Sequence, residues 1–103
     1  KNYKKEKMIK KTYLKTKNFT KVKFEIFADG AEKVEILGID NDWETPIPLT
    51  SKKNGHFSTE LNLEKDKEHT FKYRINGTIW LDDETADKQV NDGYGGTNSV
   101  IIA

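Results

Sequence analysis

Apolar and polar residues alternate one for one in four stretches of this chain. Val22, Phe24, Ile26 and Ala28 alternate with Lys21, Lys23, Glu25 and Phe27 until Asp29-Gly30 stops the run. Val34 and Ile36 repeat the pattern within Lys33 to Leu37, Phe57, Thr59, Leu61 and Leu63 share one face after Asn54-Gly55, and Phe71, Tyr73 and Ile75 alternate with Lys72 and Arg74. Period-two alternation puts one face of a strand in a core and the other in water, so each stretch predicts a half-buried strand. A weaker pattern from Met8 to Thr16, with Ile9, Tyr13 and Leu14, predicts a first strand, and Val100 to Ile102 a last one. Pro46 and Pro48 confine the loop IDNDWETPIPL to an extended or edge segment, because proline cannot donate to a central ladder. No stretch has the length and period of an amphipathic helix. Roughly seven short strands with turn signals every 8–12 residues or so predict an all-β antiparallel sandwich.

Length assigns residues 8–103 to one domain, since a 103-residue chain can bury one modest core. Residues 1–7 (KNYKKEK) lack any period and read as a disordered lead or a remnant of expression. With no cysteine there is no disulfide, thiolate nucleophile or thiolate metal site, which fits a reducing, cytoplasmic setting. No apolar run reaches the length of a signal core or membrane span, so a soluble domain with no membrane partner is expected.

Charge divides the chain. Residues 1–23 hold ten lysines and one acid, and the remainder holds eight basic and sixteen acidic residues. A basic arm can contact nucleic acid or another anionic surface, but the acidic body argues against a phosphate-tracking protein, and the lysines read as a solvated tail and first strand. Nucleic acid is therefore not an expected partner.

The catalytic motifs are missing. His56 and His69 have no metal-ligand spacing around them and read as solvent-exposed. Asp82-Asp83-Glu84 offers carboxylates, but neighbours on an extended chain point apart, so they read as a solvated turn rather than a glycosidase pair. Gly93-Tyr94-Gly95-Gly96 has no lysine or strand-turn-helix context for phosphate, and no serine sits in a nucleophile elbow. The chain is expected to be no enzyme and to need neither metal nor cofactor.

The aromatic residues outside the alternating faces carry more information. Trp43 lies in a polar loop, Tyr94 in a glycine-rich one, and Trp80 follows the Asn76-Gly77 turn. A two-residue type I′ loop would pair Tyr73 with Trp80 and bury the indole, whereas a three-residue loop over Ile75, Asn76 and Gly77 would pair Tyr73 with Ile79 and leave Trp80 outside, opposite Lys72. The second register is favoured because isoleucine has no polar atom to satisfy in a core and indole has one. Trp43, Trp80 and Tyr94 would then form an open aromatic surface for the C–H face of sugar rings, with Lys72 and Asn98 donating to hydroxyls. Such an open site is expected to bind with a Kd of about 0.1 mM.

The order of KVKFEIFADGAEKVEILG, GIDNDW, PIPLTSKKNGHFSTELNL, FKYRINGTIWLDDE and NDGYGGTNSVII resembles carbohydrate-binding module family 48, the early-set or isoamylase N-terminal domain of glycogen branching and debranching enzymes and of the β subunit of AMP-activated protein kinase. The resemblance spans residues 9 to 102. It implies an immunoglobulin-like early-set sandwich that binds α-glucan (glycogen, starch or maltooligosaccharide) through Trp43, Lys72, Trp80 and Asn98, with Tyr94 where the family often has a bulky residue. The chain departs from the family at Asp40, where phenylalanine is usual and Ile39 is left as the anchor, at Glu84, where proline is frequent, and at Asn76, which replaces the usual aspartate. The rival reading is a structural module whose tryptophans dock a glycan-active enzyme domain or another protein.

Overall fold

The structure, a computed structural model, describes residues 6–103. The expected lead at residues 1–7 lies largely outside the described residues, and Lys7 already belongs to the first strand. The strands are β1 (Lys7–Tyr13), β2 (Phe19–Phe27), β3 (Val34–Leu37), β4 (Ile47–Pro48), β5 (Thr50–Ser51), β6 (His56–Glu64), β7 (Glu68–Ile75), β8 (Ile79–Leu81), β9 (Lys88–Asn91) and β10 (Thr97–Ile102). They form two antiparallel sheets, one in the order β1-β2-β6-β5 and the other in the order β4-β3-β7-β10-β9, with β8 pairing the end of β7. This is the immunoglobulin-like, early-set β-sandwich that the alternation and the resemblance imply.

The core is where the alternating faces meet. Val22, Phe24 and Ile26 of one sheet oppose Phe71, Tyr73 and Ile75 of the other, all fully buried. Phe24 meets Phe71 edge to face at 5.1 Å, and Phe71 meets Tyr73 at 5.5 Å. Each such side chain contributes about 1.5–3 kcal/mol by leaving water. The proline-bearing segment supplies only β4 and β5, one at an edge of each sheet. Pro48 lies opposite Glu35 on the outermost strand, where its missing N–H leaves no partner unsatisfied.

Two elements differ from the sequence reading. β9 is short and polar, so it shows no alternation, and β1 ends at Tyr13 instead of Thr16. The weak period of β1 has a cause: Lys7 and Lys11 pair with Ile26 and Val22 and so occupy inward-facing positions. Their stems cover the rim of the core while the ammonium groups reach across to the second sheet. Lys7 meets Glu84 at 2.9 Å, and Lys11 meets Asp87 at 2.7 Å and the Ile102 carbonyl at 2.9 Å. The expectation of a solvated basic strand is corrected here, since these two lysines close one edge of the sandwich.

His69 is a further correction, being buried at 3% exposure. Its Nε2 lies 2.9 Å from the Glu64 carbonyl, which can only accept, so Nε2 carries the hydrogen. Nδ1 has no hydrogen bond and faces the Asp40 carboxylate at 3.5 Å. His56 is half-buried, 3.3 Å from Glu25. No described helix is long and apolar enough to cross a membrane.

Candidate functional site

Phe71 and Tyr73 point into the core, so Lys72 and Arg74 between them face outward from the second sheet. Around this outer face gather the loop after β3, the β7–β8 hairpin, and the loop between β9 and β10.

The first loop is built on Gly38, at φ 97, followed by Asp40 and Asn41 at φ 56 and 63. Gly38 N–H donates to the Asp42 carbonyl at 2.8 Å, Asn41 and Asp42 N–H donate back to Gly38 and Ile39, and the Thr70 hydroxyl ties the Gly38 carbonyl to β7 at 3.0 Å. Ile39 is buried in the main core and so anchors the loop. The Asp42 carboxylate accepts from the backbone N–H groups of Glu44 and Thr45, both at 3.0 Å, and these bonds hold its carboxyl below the usual range. Trp43 is thereby laid flat over Gly38. A β-carbon at Gly38 would stand 2.5 Å from the indole Cη2, so only glycine admits this stacking. The indole N–H donates to Asn41 Oδ1 at 3.2 Å.

The hairpin follows neither register weighed from the sequence. Asn76 and Gly77 both have positive φ, and Thr78 N–H donates to the Ile75 carbonyl at 3.1 Å, as in a type I′ turn. The ladder then resumes with Ile79 opposite Ile75, Trp80 opposite Arg74 and Leu81 opposite Tyr73, so Thr78 is the extra residue. Leu81, half-buried, therefore packs against the core, which neither alternative considered. Trp80 faces outward at 44% exposure, as favoured, but its neighbour is Arg74 and not Lys72. The Arg74 guanidinium lies 5.4 Å from the Trp80 ring and is held there by Glu35, which accepts from Nη2 at 2.9 Å and Nε at 3.2 Å. Trp80 meets Trp43 at 6.4 Å with the planes tilted by 52°.

The third loop presents Tyr94 at 93% exposure. Gly93 and Gly95 on either side have φ 85 and 88, which a glycine adopts without strain. Asp92 Oδ1 staples the loop by accepting from Tyr94 N–H at 2.7 Å and Gly96 N–H at 3.1 Å. These two backbone bonds, aided by the more distant Lys72 charge, hold the Asp92 carboxyl below the usual range.

The first and third loops, with β7 and β10, enclose a groove of about 470 Å³ lined by Asn41, Trp43, Lys72, Asp92, Tyr94 and Asn98. Four of the five sequence-derived site residues line it, and Trp80 extends its aromatic wall through Trp43. Sequence reasoning missed Asn41, Asp92 and Arg74. The first two are short polar residues in loops, and their N-D and D-G neighbours signalled turns alone. Lys72 is less free than expected: its ammonium donates to the Thr97 carbonyl at 2.7 Å and to Asp82 at 3.2 Å, leaving one N–H for a ligand.

Beneath the groove, the acidic triplet divides its roles. Asp83, read from the sequence as solvated, is fully buried. Its carboxylate accepts from the Tyr73 hydroxyl at 2.7 Å and from the Thr85 N–H and hydroxyl at 2.8 and 2.6 Å, and its own N–H donates to Ser99 Oγ. Three donors to the carboxylate and one acceptor for the N–H replace the water that this segment would otherwise need. Burial and then the Asp83 charge push the Tyr73 hydroxyl well above its ordinary range. Asp82 orients Lys72 and Thr97, and Glu84 alone faces solvent. Among the described residues no group of three or more His, Cys, Asp or Glu could hold a metal.

A flat aromatic wall beside short polar groups suits a sugar ring, whose C–H face stacks while its hydroxyls bond at the edge. The family model for carbohydrate-binding module 48 (isoamylase N-terminal domain) matches residues 11–95. No curated protein matches the chain. The chain belongs to this family of carbohydrate-binding modules.

Proposed function

We propose that this module binds α-glucan chains, such as glycogen, starch or maltooligosaccharides, without catalysing a reaction on them. The observation that carries the reading is the aromatic wall of Trp43 and Trp80, 6.4 Å apart, standing over a groove that also holds Lys72, Tyr94 and Asn98. Two neighbouring indoles offer stacking surface to the C–H faces of successive sugar rings, and the likeness to the isoamylase N-terminal domain favours an α-linked chain over a β-linked one. Lys72 retains one N–H, and Asn98 offers an amide donor and acceptor, so hydroxyl recognition is sparse and the affinity is modest, with a Kd of about 0.1 mM.

Titration with maltoheptaose and β-cyclodextrin, followed by tryptophan fluorescence, tests this, with cellohexaose as control. Saturable quenching or enhancement by the α-linked sugars alone is expected. Trp80→Ala should weaken binding at least tenfold while leaving the urea midpoint nearly unchanged, because that indole is largely outside the core. Absence of a response at millimolar maltoheptaose overturns the reading and turns attention to a protein partner for the same aromatic face.

A further inference from the structure

Trp43 and Trp80 form one aromatic wall but are held by different means. Trp43 rests on Gly38, and its N–H donates to Asn41 at 3.2 Å. Trp80 stands on β8, which is three residues long and pairs with β7. Among the described residues no hydrogen bond holds its indole N–H. Its ring meets Trp43 at 6.4 Å and, on β7, the Arg74 guanidinium at 5.4 Å. Glu35, Arg74 and Trp80 lie directly across from one another on β3, β7 and β8, so the three side chains share the outer face in one row. Glu35 is mostly buried, with a side chain 12% exposed, and its Oε1 accepts from both Nε and Nη2 of Arg74. Its other cross-strand neighbour is Pro48, whose ring has no donor to offer, so the carboxylate is committed to the guanidinium.

We infer that Arg74 is a positioning residue for the sugar site: anchored by Glu35, it holds the Trp80 indole in the wall beside Trp43 and makes no contact of its own with the ligand. The inference rests on the glucan reading and adds to it two residues that do not line the groove. A guanidinium bonded at two nitrogens has lost its freedom to turn, so it presents a fixed surface to the ring beside it. The cation is attracted by the ring quadrupole, which favours the one indole rotamer that keeps the two in contact. An indole fixed before the sugar arrives gives up little rotamer freedom on binding. A cation–π contact at a half-exposed position is of a size to change sugar affinity by about threefold to tenfold.

The test uses the intact chain and two readouts. The first is the Trp43–Trp80 exciton couplet in far-ultraviolet circular dichroism of the free protein, which depends on the angle and distance between the rings. Arg74→Met keeps the stem and removes the cation, whereas Glu35→Ala removes the anchor and leaves the cation. Each should lower the couplet by about half or more. Because the two residues act as one unit, Arg74→Met/Glu35→Ala should lose no more than Arg74→Met alone. That double variant leaves no carboxylate unpaired, so it carries the test where Arg74→Met folds poorly. The second readout is titration with maltoheptaose. Arg74→Met should weaken binding about threefold to tenfold and Glu35→Ala by most of that, with Arg74→Lys, which keeps the charge but cannot fork, between wild type and Arg74→Met. A couplet unchanged in Arg74→Met and in the double variant overturns the inference. Weaker sugar binding with an unchanged couplet overturns it too, since Arg74 then contacts the sugar directly. Failure of wild type to bind maltoheptaose removes the glucan reading and the sugar-positioning role with it, and a couplet that still falls in both variants keeps Arg74 and Glu35 as the groups that hold Trp80.

Discussion

Replacing Gly38 by alanine would strike the loop on which Trp43 rests. Two costs separate cleanly. Gly38 has φ 97, a region that β-carbon crowding penalises by about 1–2 kcal/mol. The added β-carbon would also lie 2.5, 2.7 and 2.9 Å from three indole carbons, so the ring must move outward by close to 1 Å or the backbone must yield. Overpacking of that kind adds about 1–3 kcal/mol. Gly93→Ala isolates the first cost, because Gly93 has φ 85 and nothing within 4 Å of where its β-carbon would stand. Urea unfolding should therefore find Gly93→Ala less stable by about 1–2 kcal/mol and Gly38→Ala by about 2–4 kcal/mol. In a double-mutant cycle, Trp43→Ala should recover at least about 1 kcal/mol of the Gly38→Ala loss, since the clash partner is gone. Glucan affinity should fall in Gly38→Ala, because the indole no longer lies in the wall. If Gly38→Ala costs no more than Gly93→Ala, or if the cycle shows no coupling, the stacking of Trp43 on Gly38 is refuted.

Three further outcomes follow from the structure. Tyr73→Phe removes one of the donors to the buried Asp83 carboxylate and should cost about 2 kcal/mol in urea, with a smaller loss in Tyr73→Phe/Asp83→Asn than the two single losses added together. Asp87 is pushed up by burial, but the Ile102 N–H and the Lys11 ammonium outweigh this and hold its carboxyl below the ordinary 3.8. A carboxyl depressed by folding stabilises above its unfolded pKa and loses that contribution as pH falls through the folded value. Urea midpoints should therefore drop below about pH 3.8, and Asp87→Asn should be less stable at pH 7 by at most about 1 kcal/mol after solvent screening, with the gap closing in acid. Deleting Thr78 should leave Ile79 opposite Ile75 across a two-residue Asn-Gly turn, costing about 1 kcal/mol or less, and the Trp43–Trp80 exciton signal in far-ultraviolet circular dichroism should survive.

What alternation can reveal, it revealed: Val22, Phe24, Ile26, Phe71, Tyr73 and Ile75 were assigned inward and are fully buried. Its limits are equally physical. The hairpin register turned on whether an extra residue is present beside the turn and on which side of it, and composition around Asn76-Gly77 does not distinguish those cases. Trp80 nevertheless faces outward because moving the extra residue from Ile75 to Thr78 shifts its cross-strand partner and not its side of the sheet. The groove was legible where large aromatics stood outside alternating faces, as Trp43 and Tyr94 do. Asn41 and Asp92 act through loop closure, which depends on positive φ at Asn41, Gly93 and Gly95 and on backbone N–H groups that any sequence possesses. Asp83 and His69 escaped because burial of a polar side chain depends on distant donors and acceptors, such as Tyr73, Thr85 and the Glu64 carbonyl.

The charge division along the chain becomes intelligible through the same distant pairing. A basic beginning ahead of an acidic remainder reads as a solvated tail and first strand, yet the antiparallel register of β1 on β2 carries Lys7 and Lys11 to the rim facing Glu84 and Asp87. The Lys7 side chain is 2% exposed while Glu84 is 60% exposed, so the lysine stem contributes packing and its partner remains in water. The apolar stem covers the sandwich edge, and the ammonium at its end is kept paired by Glu84. Lys11→Met should consequently retain much of the stability that Lys11→Ala loses, even though both remove the bond to Asp87 at 2.7 Å. Urea midpoints that fall equally in the two variants would show that the charge, and not the stem, holds β1 against the second sheet.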